Sequence, residues 1–97
     1  MIEEIIIRGI YKFNTVKNQK LIKQRNIGFE DVIEALQDQK NILGIVENVN
    51  YTNQFILEII VDEYPCSIPI IIEEDNTIFL KTIYKNRKLI KKYKLTL

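Results

Sequence analysis

Beyond Lys40 the hydrophobic pattern of this chain changes period, and that change limits the folds open to it. From Gln54 to Asp62 the chain reads QFILEIIVD, with Phe55, Leu57, Ile59 and Val61 at every second position. Alternation of this kind places one row of side chains on one face of a sheet. Ile42 to Glu47 and Ser67 to Ile72 read as further strands, as does Thr77 to Lys85, where Ile78, Leu80, Thr82 and Tyr84 alternate with Phe79, Lys81, Ile83 and Lys85. Asn48 to Asn53 and Glu73 to Asn76 are polar turns between them. Pro69 cannot donate to a strand ladder, so an edge or a bulge is expected there.

The part before Lys40 follows a different rhythm. Ile5 to Phe13 alternates and is expected to form a first strand. Asn14 or Thr15 then caps a helix over Val16 to Arg25, whose few apolar positions leave it exposed, with Lys17, Lys20 and Lys23 on or near one face. After Gly28, the residues Phe29, Val32, Ile33 and Leu36 recur at helical spacing, with Glu30 and Asp31 in the favourable first turn. At the other end Asn86 caps a last helix over Arg87 to Tyr93, packing on Leu89, Ile90 and Tyr93. Helices ahead of a strand meander predict an α+β fold: an antiparallel sheet of about five strands, two N-terminal helices and a short C-terminal one, in a single domain over residues 1–97.

Charge is sorted along the chain. The formal net charge is only +1, yet Lys81 to Lys94 carries seven basic residues and no acid, and Arg8 to Arg25 carries six and no acid. The stretch between them holds eleven acids and one base, Lys40. If the fold brings the two ends together on one face, they make a cationic surface suited to phosphate. The plainer reading leaves Lys88, Lys92 and Lys94 as solvated charges.

Several chemistries are closed. There is no histidine and one cysteine, so neither a Ser/His/Asp triad, a Cys/His pair nor a zinc site of the usual kind can be built, and Cys66 reads as a small buried hydrophobe. Gly9, Gly28 and Gly44 are isolated and form no phosphate loop. Glu73, Glu74 and Asp75 are adjacent in a turn and diverge, so no metal and no cofactor is expected. No apolar run approaches the roughly 20 residues of a membrane span, and the start MIEE lacks the features of a signal peptide, so a soluble cytoplasmic protein without a membrane partner is expected.

Cationic chemistry remains. RNA brings its own nucleophile, the 2′-hydroxyl, and a protein that cleaves it must move protons and stabilise charge on the phosphate. Arg87 supplies a planar fork for that charge. Lys91 lies one turn further along the same face, and Lys81 on the preceding strand is expected to point to the same pocket. Clustered cations would lower the pKa of a neighbouring tyrosine or lysine. Tyr93 reads equally as a proton donor or as a core ring, and Tyr84 as core or sheet surface.

The block from Asn26 to Lys94 resembles the BrnT-like toxins, within the RelE-like ribonuclease toxins of type II toxin–antitoxin systems. The likeness rests on Asn26-Ile27-Gly28-Phe29-Glu30-Asp31-Val32, on Ile68-Pro69-Ile70, and on Ile78-Phe79-Leu80-Lys81-Thr82-Ile83-Tyr84 followed by Arg87-Lys88 and Lys91-Lys92-Tyr93. Asn86 stands where that family usually has serine. The resemblance implies a small endoribonuclease that blocks translation, neutralised by an antitoxin protein that also supplies any DNA binding. It implies Arg87, Lys81, Lys91 and Tyr93 as catalytic residues. Lys20, Lys23, Arg25, Lys88 and Lys92 would bind the RNA. The alternative is a non-catalytic module of the same fold that binds protein or RNA.

Overall fold

The computed structural model describes residues 2–96. It begins with a helix, α1 (Ile2–Arg8), where a strand was expected over Ile5 to Phe13. Two physical features outweigh the alternation. Glu3 and Glu4 occupy the first turn and Arg8 the last, matching the helix dipole at both ends. Ile2, Ile5 and Ile6 also fall at helical spacing, and they pack on the core with Ile6 fully buried. Gly9 ends the helix hard against the Ile78 side chain and the Ile5 carbonyl, where a Cβ has no room. What remains of the expected strand is β1 (Tyr11–Lys12). The Tyr11 hydroxyl donates to the carbonyl oxygens of Ile6 and Ile7, tying β1 back to α1.

The next two helices form as the pattern predicts. In α2 (Thr15–Arg25) the Asn14 side chain accepts the Lys17 N–H at 2.9 Å, and Asn26 closes the helix in the left-handed region at φ 56°. In α3 (Phe29–Ala35) the Asp31 carboxylate accepts the Gly28 N–H at 2.8 Å. Asn18 joins the two helices, although it is polar and buried: its oxygen accepts the Phe29 N–H at 2.7 Å and its amide donates to Glu30 at 2.8 Å. Both ends of the amide are thus satisfied.

A 3₁₀ turn (Gln39–Asn41) leads into β2 (Ile42–Glu47), β3 (Gln54–Val61), β4 (Tyr64–Ile72), β5 (Ile78–Leu80) and β6 (Tyr84–Lys85). The sheet order is β1-β5-β4-β3-β2, with β6 also on β4, giving six strands. The fold is α+β, but the sheet is mixed rather than antiparallel, because β1 runs parallel to β5. Asp62 and Glu63, both at positive φ, turn β3 directly into β4, so β4 starts three residues earlier than expected.

Pro69 does not mark an edge: β4 is central, between β3 and β5/β6. The carbonyls of Pro65 and Pro69 accept the N–H groups of Asn86 and Lys81, so both residues point their bonding groups away from β3. The β3 ladder is therefore intact. On the other side neither proline can return a hydrogen bond, and the pairing breaks. Ile68 and Pro69 face three residues, Lys81 to Ile83, a bulge that splits the single strand expected from Thr77 to Lys85 into β5 and β6.

The register sorts the sheet into two faces. Leu57, Ile59, Ile68 and Ile70 join Ile6, Leu21, Phe29 and Val32 in one buried cluster, with α1 to α3 on that side. The opposite face carries Gly44, Glu58 and Ser67, and receives the last helix, α4 (Lys88–Tyr93). No described helix is long and apolar enough to cross a membrane.

Candidate nucleic-acid interface

Asn86 sets the start of α4. Its N–H donates to Pro65 O at 3.0 Å, its side-chain amide to Ser67 Oγ at 3.0 Å, and its Oδ1 accepts the Lys88 N–H at 3.1 Å. Leu89, two per cent exposed, presses onto the sheet. The far end is held by a polar contact: Glu58 Oε1 accepts the Tyr93 hydroxyl at 2.5 Å and the Lys92 ammonium at 2.7 Å. Gly44 lies directly beneath, and a Cβ there would collide with the Tyr93 hydroxyl. A glycine is thus needed in β2 for the tyrosine to reach Glu58.

This arrangement separates the predicted site residues. Lys88 and Lys91 lie exposed on α4, Arg87 lies exposed just before it, and Lys81 lies exposed at the bulge. Among the described residues the ion pairs are Lys12–Glu73 at 2.6 Å and Lys92–Glu58 at 2.7 Å, so those four cations have no carboxylate partner. Lys92 differs from them, since one of its bonds is spent on Glu58. Tyr93 is half-buried at the end of α4 rather than a core ring, and burial first, then its bond to Glu58, raise its pKa above 10.0. The lowering expected from clustered cations is outweighed, with Lys92 the one cation opposing the rise.

The two basic runs do not converge on one face. Lys20, Lys23 and Arg25 belong to α2, on the side of the sheet opposite α4. The runs approach only at the rim, where Arg25 Nη1 donates to Ile83 O at 2.6 Å and the guanidinium lies 5.5 Å from the Tyr84 ring centre. Arg25 thus ties α2 to the bulge and β6 while staying exposed. Tyr84 is on the sheet surface, about half exposed. None of the four pockets described, of 640, 410, 290 and 200 Å³, is lined by Lys81, Arg87, Lys91 or Tyr93. Lys81, Arg87 and Lys91 are each exposed, outside those pockets.

Glu58, Ser67 and Asn86 complete the cluster under α4, and sequence reasoning did not connect them. Glu58 alternates with buried residues in β3 and reads as a solvent-facing acid; only the helix laid over it makes it six per cent exposed. The isolated glycine in β2 was the one available sign of a close approach on this face. No three described acids or cysteines converge in a way that could hold a metal. Cys66 is buried on the helix side, and burial pushes its thiol up to about 11. Comparison with models of known protein families, with curated proteins and with solved structures finds no significant match for this chain.

Proposed function

We propose that this chain acts on RNA, as the endoribonuclease toxin that its C-terminal ending resembles, with an antitoxin protein as its partner and the cytoplasm as its place of action. The observation that carries the reading is the set of exposed cations without a carboxylate partner, Lys81, Arg87, Lys88 and Lys91, on the bulge and the segment that forms α4. A meander preceded by helices and closed by a basic helix is also consistent with a RelE-like architecture. In this reading α4 and the bulge grip the phosphates. Attack of the 2′-oxygen on phosphorus expels the 5′-oxygen, Arg87 stabilises the charge that builds on the phosphoryl oxygens, and Lys91 or Lys81 assists it. The proton of the 2′-hydroxyl passes to a base, and the leaving oxygen takes one from an acid. In this reading Glu58 and Tyr93 serve these roles, once the RNA separates them.

A second reading has its own support. A phenol whose pKa is raised and whose hydroxyl already donates a hydrogen bond to Glu58 is a poor acid, and the cations lie in the open. Both features suit a module that binds RNA without cutting it. Purified protein incubated with RNA in EDTA separates the two. Cleavage that falls about a hundred- to a thousandfold in Arg87→Ala, the scale of one lost oxyanion donor, supports the enzyme. Salt-sensitive binding without cleavage supports the module, and absence of both refutes an RNA function.

A further inference from the structure

The outer edge of β2 is open. It ends the strand order, and no other described strand bonds to it. The Asn48 N–H donates to Gln54 O, which fixes the phase of the β2–β3 ladder. Residues 46 and 44 then bond inward to β3, while Ile45 and Glu47 turn their N–H and C=O groups outward. The bulge between Ile42 and Gly44 leaves the stretch from Gly44 to Glu47 in regular register. From Ile42 to Glu47 there is no lysine, arginine or proline, the residues that usually guard an edge.

Beside this edge lies a pocket of 640 Å³, between β2 and α1. Its apolar wall is Ile2, Ile7, Ile42 and Ile45, and Glu3 and Glu4 line its rim. Ile42 and Ile45 point to the α1 side of the sheet, as does Glu47. A strand added to β2 would therefore send every second side chain over the pocket, within reach of three carboxylates.

We infer that the β2 edge and the α1–β2 pocket together form a docking site for an extended segment of a partner protein, apolar at alternate positions and bearing lysine or arginine at its ends. Main-chain bonds to Ile45 and Glu47 supply the attachment, the pocket takes the apolar side chains, and Glu3, Glu4 and Glu47 select the positive ends. A second copy of this chain fits worse. Edge-to-edge pairing about a two-fold axis would gather Glu3, Glu4 and Glu47 of both copies, and β2 itself carries no cation to offset them. Like charges so placed oppose association. The site lies away from the cations of α4 and does not depend on an RNA function.

The test uses synthetic peptides on the intact protein. The probe alternates valine with threonine and carries paired lysines at both ends; one control carries glutamates there, and another has its central amides N-methylated. Binding is read by fluorescence anisotropy, and the site by amide hydrogen exchange. The lysine peptide should bind and slow exchange at Ile45 and Glu47. The glutamate peptide, and the lysine peptide on Glu3→Gln/Glu4→Gln protein, should bind about tenfold or more weakly, a difference of about 1.4 kcal/mol. The N-methylated peptide should not bind. Equal binding of the glutamate peptide, no binding of the lysine peptide at millimolar concentration, or binding that leaves those two amides unprotected overturns the proposal. So does self-association that protects them without any peptide.

Discussion

Removing the Tyr93 hydroxyl should loosen α4 by an amount the structure allows to be worked out. Tyr93→Phe keeps the ring and deletes one donor to Glu58 Oε1, which retains the Lys92 ammonium at 2.7 Å. Glu58 is therefore not orphaned, and the loss is that of one hydrogen bond to a charged acceptor, about 1.5–3 kcal/mol. Tyr93 is only half-buried, so water can replace part of the bond, and the lower end, about 1.5 kcal/mol, is expected. For a domain of this length that is a fall in Tm of about 6–12 °C. Gly44→Ala reaches the same contact from below, because its Cβ displaces the hydroxyl; with the hydroxyl gone, the nearest ring carbon lies 3.4 Å from that Cβ. The two substitutions should therefore be strongly non-additive, the double variant melting close to Tyr93→Phe alone. Thermal melts followed by circular dichroism, with urea titrations for ΔG, measure all three proteins. If Tyr93→Phe melts with the parent, or if the two losses simply add, Glu58 is not what holds α4.

Two further expectations concern other parts of the fold. The Thr82 hydroxyl is buried in the bulge without a hydrogen-bond partner, so Thr82→Val should raise stability by about 1 kcal/mol, and an equal loss in urea titration would show that the hydroxyl is satisfied. Alkaline titration should detach α4: burial and the bond to Glu58 raise Tyr93, and the bond to Glu58 raises Lys92. Both contributions are complete below the ordinary values of 10.0 and 10.5 and are lost as pH rises through the higher folded values, so amide exchange in α4, corrected for its intrinsic pH dependence, should quicken above pH 10.0 in the parent and much less in Tyr93→Phe.

Elements whose signals are local were legible in the sequence. Asn14 caps α2 with its own side chain, the Phe29–Leu36 spacing needs no partner to read as a helix, and β3 alternates along its whole length. The misreadings occurred where tertiary structure decides between two local options. Ile2 to Arg8 satisfies both a period of two and helical spacing, and the charges at its ends tip the balance. Asn18 reads as one more polar residue on an exposed helix until α3 is placed beside it. The cation cluster was legible as composition, but not as geometry. A run of lysines states how much charge is present; which face receives it depends on the path of the chain between Leu80 and Lys88.

That path is set by two prolines. Pro65 and Pro69 lie four residues apart in β4, so their missing N–H groups fall on the same side of the strand. Each still accepts one bond, from Asn86 and Lys81 respectively, and between those two points the chain carries one residue more than the strand it faces. The extra residue lets Lys81 leave the ladder exposed while Thr82 and Ile83 turn inward. The ladder then closes again for Tyr84 and Lys85 and stops at Asn86, which turns α4 onto the face opposite α2. With donors at both proline positions the last strand could pair without interruption, as its alternation suggests. The prolines thus tie the placement of Arg87 and Lys91 to the backbone of β4, and Arg25 braces the same bulge from the other side through Ile83. Arg25 therefore acts on the segment that positions the remaining cations through one of its five N–H groups, and its exposed guanidinium keeps the others.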